Sequence, residues 1–164
     1  MITPFDEEGQ VDYTAIKRVV EHIISGGIDY IVVMGTTAET ATLTLEERSN
    51  VVALIVEVNN NRVPLVLGIG GNNTLAVVGT INQTDLTAFK AILSVCPYYT
   101  RPSQEGIYQH FKHIASAASI PVILYNVPAR SGVSISNETT VRLATDFANI
   151  IGTKDASGDL ESVI

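Results

Sequence analysis

The sequence predicts an α/β fold built on a parallel sheet, and three observations carry that expectation. Short, almost wholly apolar segments recur about every thirty residues, as strands buried on both faces require. Longer segments with apolar residues at helical spacing lie between them, the pattern of crossover helices. Residues able to do chemistry stand where the apolar segments end: Thr36 and Thr37, Tyr98 and Tyr99, Tyr125 and Arg130, and Lys154. Periodicity alone admits a doubly wound open sheet or a (β/α)8 barrel. The third observation favours the barrel, which gathers the carboxyl ends of its strands on one rim, where barrel enzymes build their sites.

In chain order, Ile2 to Phe5 reads as the end of a strand, followed by a turn over Asp6 to Gln10. Asp12 can cap a helix whose apolar positions Ile16, Val19, Val20, Ile23 and Ile24 share a face, and Gly26-Gly27 can end it in the left-handed conformation. Ile28 to Met34 reads as a strand. Thr44 with Glu47 forms a capping-box pattern for a second helix through Val51, Leu54, Ile55 and Val58, and Pro64 to Ile69 is the next strand. The unit then repeats: a helix from Thr74 to Lys90, a strand from Ala91 to Cys96, a helix from Gln104 to Ala118, a strand from Val122 to Tyr125, a helix from Asn137 to Phe147, and a strand ending at Lys154. No solenoid consensus or low-complexity linker interrupts it, so one domain is expected. Gly68-Ile69-Gly70-Gly71 lacks the dinucleotide-binding spacing and reads as turn glycines.

Composition excludes several classes of partner. The chain has 164 residues, 46% of them hydrophobic and 16% charged, and a net charge of −7. A field of that sign attracts neither nucleic acid nor an anionic membrane. No apolar run is long enough to cross a bilayer. Cys96 is the only cysteine, which leaves no internal disulfide and fits a reducing compartment. The amino-terminal residues lack the basic and apolar regions of a signal peptide, so the cytoplasm is the expected location.

The segment Asn149-Ile150-Ile151-Gly152-Thr153-Lys154-Asp155-Ala156-Ser157-Gly158 places a lysine at a strand's end. Such a lysine either reaches for water or is used. In a dry barrel lumen, desolvation lowers its pKa toward the free amine that attacks a carbonyl to give a Schiff base. The other strand-end residues have bland readings too: the threonines as cap and turn, the tyrosines as a rim pair, Arg130 as a solvated cation. His22, His110 and His113 fall in helical segments without ligand spacing, so no metal centre is expected.

Four segments together resemble the dihydrodipicolinate synthase family, a subset of the class I pyruvate aldolases that includes N-acetylneuraminate lyase. They are Gly35-Thr36-Thr37-Ala38-Glu39, Pro97-Tyr98-Tyr99-Thr100-Arg101-Pro102-Ser103-Gln104-Glu105-Gly106, Tyr125-Asn126-Val127-Pro128-Ala129-Arg130-Ser131-Gly132 and Gly152-Thr153-Lys154-Asp155-Ala156-Ser157-Gly158-Asp159. The resemblance implies a (β/α)8 barrel enzyme that condenses pyruvate with L-aspartate 4-semialdehyde to 4-hydroxy-tetrahydrodipicolinate, on the route to lysine and diaminopimelate. It implies that Lys154 forms the Schiff base, and that Tyr125 transfers protons through a relay in which Thr37 links it to Tyr99. It further implies that Thr36 and Thr37 hold the pyruvate carboxylate, and that Arg130 engages the semialdehyde carboxylate. Tyr99 in this family reaches a neighbouring subunit, so a homo-oligomer, a dimer of dimers, is implied. No metal or organic cofactor is implied, because the lysine imine is itself the electron sink.

Departures from the family pattern are Ala38 for a glycine, Thr100 for an asparagine and Asp155 for a glutamate. At the family's lysine-feedback site Asn72 and Tyr98 match, but Ala76 stands where a glutamate is usual and Leu45 and Arg48 where histidines often stand, so weak lysine inhibition is expected. A sibling aldolase acting on sugar acids would share Lys154 and Tyr125; Arg130 after Tyr125-Asn126-Val127-Pro128 is typical of the synthase. A barrel takes about 250 residues. The expectation is therefore a single partial barrel domain, 1–164, running from the end of strand one through strand six and one turn of the next helix, without strands seven and eight and the C-terminal helices. Such a piece, expressed alone, is expected to be inactive, and an inactive truncated product is the further alternative.

Overall fold

The computed structural model describes residues 1–159. The chain divides into two units, one made of residues 1–68 with 87–90 and the other of residues 69–86 with the chain from 91 onward.

In the first unit, the Asp12 carboxylate accepts the Ala15 N–H at 2.8 Å and starts helix α1, Tyr13–Ser25, which buries Ile16 and Val20. The helix closes on Gly26, with Gly27 next at φ +79°. Strand β1, Ile31–Val33, pairs in parallel with β2, Leu65–Gly68, Ile31 facing Leu65. Only three residues of the expected Ile28 to Met34 strand keep strand geometry. Asp29 and Tyr30 are exposed, and Met34 turns to φ +55°, which ends the ladder. Two 3-10 turns follow, Thr36–Ala38 and Thr40–Thr42. Helix α2, Leu45–Asn59, begins with the capping box read from the sequence: Glu47 N–H donates to Thr44 Oγ1 at 3.2 Å, and Thr44 N–H donates to Glu47 at 2.8 Å. It packs against α1.

Residues 2–5 are not a strand, contrary to the sequence expectation. Phe5 makes a single antiparallel bridge with Val11, and Asp12 N–H donates to the Pro4 carbonyl, so the segment closes a local turn rather than joining a ladder. The Thr3 hydroxyl donates to the Ala38 carbonyl at 2.8 Å and fastens it to the first 3-10 turn.

The second unit begins with helix α3, Thr74–Gln83, capped by Asn73. It is shorter than the expected Thr74 to Lys90, because Thr84 adopts an extended backbone (ψ 132°). Three parallel strands follow: β3, Ala91–Val95; β4, Val122–Asn126; and β5, Ile150–Asp155. β4 pairs with both β3 and β5. The crossovers are α4, Gln104–Ala117, capped by Ser103, and α6, Asn137–Asp146, capped by Ser136. Between β4 and α6 the sequence reading missed a one-turn helix α5, Pro128–Ser131, started by proline and closed by Gly132 at φ +74°. α4 packs against α3 and α6. Ile92, Ile107, Phe111, Ile114, Val122, Leu124 and Leu143 are fully buried among these elements. The helix expected after β5 lies mostly in residues 160–164, outside the described residues; Ala156 to Asp159 are not helical.

Candidate active site

Tyr125 and Lys154 are brought together by the sheet. They face each other across β4 and β5 in register, and the Lys154 ammonium lies over the Tyr125 ring, 4.5 Å from its centroid. That distance is within the range of a cation–π contact. The two differ in burial, Tyr125 being 7% exposed while Lys154 is exposed. The dry setting expected for the lysine is therefore not supplied by the described residues, and the aromatic face is what holds the amine in place.

Tyr99 follows β3 through buried Cys96 and Pro97. Its N–H donates to the Ser131 carbonyl at 3.3 Å, which draws the loop onto α5 beside Arg130. Tyr99 has φ +71° and Arg101 φ +46°, left-handed positions that bulky side chains rarely adopt and that each cost about 1–3 kcal/mol. Two such positions thus fall in one loop at the carboxyl end of β3, as Met34 and Glu39 do after β1. The loop presents Tyr99 at 90% exposure. Asn72 adds a bond to the Tyr98 carbonyl at 3.2 Å. Arg130 sits exposed on α5 and forms no ion pair among the described residues, so its guanidinium is available to a carboxylate.

Thr36 and Thr37 are exposed on the first 3-10 turn after β1. The turn is closed by Ala38 N–H to the Gly35 carbonyl and Glu39 N–H to the Thr36 carbonyl. Thr37 Oγ1 donates to the Met1 carbonyl at 3.5 Å, a long bond. The threonines belong to the first unit and Tyr99, Tyr125, Arg130 and Lys154 to the second.

Sequence reading overlooked the rung next to Tyr125 and Lys154. Asn126 is 3% exposed and faces Asp155. Its amide donates to the Asp155 carboxylate at 2.7 Å and to Ser134 Oγ at 3.1 Å, and its carbonyl accepts the Ile135 N–H at 3.1 Å. The Ser157 hydroxyl donates to Asp155, as does its N–H at 2.8 Å. Bonds from Ser157 and then from Asn126 hold the Asp155 carboxyl below its usual range. Strand alternation was the signal available: residues adjacent to Tyr125 and Lys154 must meet each other on the opposite face.

Two groups outside this cluster are chemically quiet. Burial pushes the Cys96 thiol up to about 12, so it is not a nucleophile. Burial, with a contribution from His113, pulls His110 down to about 4, and its Nδ1 pairs with the Thr74 hydroxyl at 2.8 Å.

A model of the dihydrodipicolinate synthetase family matches residues 1–164. The 4-hydroxy-tetrahydrodipicolinate synthase of Flavobacterium psychrophilum is 56% identical over 160 residues, 98% of this chain and 55% of that protein. The crystal structure of a Bacillus anthracis dihydrodipicolinate synthase is similar at a TM-score of 0.93 and 45% identity, covering 99% of this chain and 56% of its own. That of the chloride-inhibited dihydrodipicolinate synthase of Acinetobacter baumannii, complexed with pyruvate, is similar at 0.93 and 44% identity, covering 99% and 55%. The chain spans about half the length of the curated relatives it matches. The fold class is the one expected from the sequence, a (β/α) barrel present in part.

Proposed function

The chain belongs to the dihydrodipicolinate synthetase family, and on that premise we propose that it carries the Schiff-base machinery of a synthase that condenses pyruvate with L-aspartate 4-semialdehyde. The product is 4-hydroxy-tetrahydrodipicolinate, a precursor of diaminopimelate and lysine. The observation that carries this reading is the Lys154 amine seated 4.5 Å from the Tyr125 ring centroid, at the carboxyl ends of paired parallel strands.

The chemistry follows from the groups. The neutral Lys154 amine attacks the ketone carbon of pyruvate, the carbinolamine loses water, and the imine draws electrons from the methyl group so that it loses a proton to give an enamine. The enamine carbon then attacks the aldehyde of the second substrate, and the amino group of the adduct attacks the imine carbon, closing the ring and expelling the Lys154 amine. Each step moves a proton, and a phenol beside the nitrogen is suited to do so. We assign that role to Tyr125, with Thr37 and Tyr99 as the relay expected from the family. Thr36 and Thr37 supply hydroxyl donors to the pyruvate carboxylate. Arg130 presents a planar fork to the semialdehyde carboxylate, and its place after Tyr125-Asn126-Val127-Pro128 is what favours the synthase over a sibling sugar-acid aldolase.

Tyr99, 90% exposed on a strained loop, is the group we expect a second copy of the chain to receive, and a homo-oligomer, a dimer of dimers, is proposed on that basis. Among the described residues no helix is long and apolar enough to cross a membrane; a cytoplasmic location is proposed, supported by the buried free thiol of Cys96. The family match running unbroken over residues 1–164 supports treating them as one domain.

Borohydride reduction with pyruvate, on a protein in which this chain is completed to the length of its relatives, tests the central claim. One reduced pyruvyl group should appear on Lys154 and disappear in Lys154→Ala. Labelling of Lys17, Lys90 or Lys112 instead would overturn the assignment, and trapping of N-acetylneuraminate without condensation of the semialdehyde would favour the sibling.

A further inference from the structure

Strand β5 has an irregularity just before its lysine. Val122 of β4 faces Ile150, yet Ile123 faces Gly152, so Ile151 is an extra residue in the ladder. A bulge resets which side chains point to which face for the rest of the strand. A slip of one residue beyond it would place Thr153 or Asp155 opposite Tyr125 and turn Lys154 to the other face. Burial does little to prevent this, since Ile150 is buried while Ile151, Gly152, Thr153 and Lys154 are all exposed.

The rung after the lysine supplies the missing specification. Asn126 and Asp155 are in register and, by alternation, lie on the face opposite Tyr125 and Lys154. Asn126 is fixed from the other side by Ser134 and Ile135, so it cannot follow a sliding strand. Asp155 is held at both oxygens, one by the Asn126 amide and one by Ser157. Behind it, Ala156 N–H donates to the Asn126 carbonyl at 2.8 Å and continues the ladder in the same register. A slip in either direction would break the bond from Asn126 to Asp155, leave one of the two N–H groups of the buried Asn126 amide without its acceptor and detach a charge-assisted acceptor.

We propose that Asp155 is a positioning residue for Lys154: its carboxylate, clasped by Asn126 and Ser157, locks the register of β5 past the bulge at Ile151 and so keeps the lysine amine on the Tyr125 ring. Asp155 itself touches no substrate. The catalytic consequence rests on the function proposed above, whereas the lock is a property of the fold.

Two readouts separate them, both taken on a protein in which this chain is completed to the length of its relatives: a nuclear Overhauser contact between the Lys154 ε-methylene and the Tyr125 ring, and the rate at which borohydride traps pyruvate on Lys154. Asp155→Ala should lose the contact and slow trapping at saturating pyruvate by at least about tenfold. Asp155→Glu, which keeps the carboxylate, should restore both in large part. Should Asp155→Ala fail to fold, Ser157→Ala, which removes one clasp, should weaken the contact and slow trapping by a few-fold. An Asp155→Ala protein that keeps both the contact and the rate overturns the proposal, as does one that loses the rate while keeping the contact, since Asp155 would then act by charge. In the event that the wild type shows the contact but traps no pyruvate, and Asp155→Ala loses the contact, the lock stands and the proposed function falls.

Discussion

His110 is the residue whose protonation bears most directly on stability. Its ring is buried on α4, meets the edge of Phe111 and bonds the Thr74 hydroxyl through Nδ1, while Nε2 has no hydrogen-bond partner among the described residues. Burial, and secondarily His113, lower its pKa from 6.5 to about 4, so between those values the unfolded chain binds a proton that the folded chain refuses. Its contribution is therefore fully present above pH 6.5 and is lost as the pH falls toward 4, a change on the order of 3 kcal/mol. Urea unfolding at a series of pH values should show stability falling through this window, with a flatter profile for His110→Gln. An identical slope in the variant would show that His110 is not the source of the loss. The acids with lowered values, Glu21, Glu47, Glu105 and Asp155, act further down, below about pH 4.5.

At the scale of elements, two glycines make opposite demands. Gly68 ends β2 against β1, and a Cβ there would lie 2.2 Å from the Met34 carbonyl oxygen and 2.8 Å from its carbon. Backbone cannot yield as a flexible side chain does, so Gly68→Ala forces the strands apart and should destabilise by about 1–3 kcal/mol or more. Gly79, inside α3, has nothing within 4 Å of a built Cβ. Gly79→Ala should instead stabilise by about 0.5–1 kcal/mol, because the unfolded chain loses freedom and the helix gains propensity. Denaturant midpoints for the pair decide the point, and equal shifts would show that close packing at β2 is not what requires Gly68.

Across the whole molecule, lysine should exert little control. Leu45 is exposed and the Arg48 guanidinium bonds the Leu43 carbonyl in the first unit. In the second, the Asn72 amide donates to the Tyr98 carbonyl and Ala76 is exposed in the first turn of α3. None of these groups gives a ligand ammonium a carboxylate, and an ammonium taken from water without one is poorly compensated. In a protein that completes this chain to the length of its relatives and carries the proposed activity, excess lysine should leave the condensation rate within about twofold of its uninhibited value. Strong inhibition mapped to Asn72 and Tyr98 would show that another acid stands in.

Features that depend on neighbours along the chain could be read without the fold. The Asp12 cap, the Thr44 and Glu47 box and the starts of α4 at Gln104 and α6 at Asn137 were legible, because a helix satisfies its first amides within one turn. So were the strand-end motifs that carry the family likeness. The extents of β1 and α3 were not, since they are set by the backbone turns at Met34 and Thr84, nor was the absence of a strand at residues 2–5. Which strand-end residues meet depends on how the strands pair. Tyr125 and Lys154 face each other because β4 and β5 pair in one register out of several, and the Asn126 and Asp155 bond that fixes it joins residues 29 apart in the chain. Apolar periodicity specifies that a strand is buried, whereas register is specified by contacts between strands, which no local pattern contains.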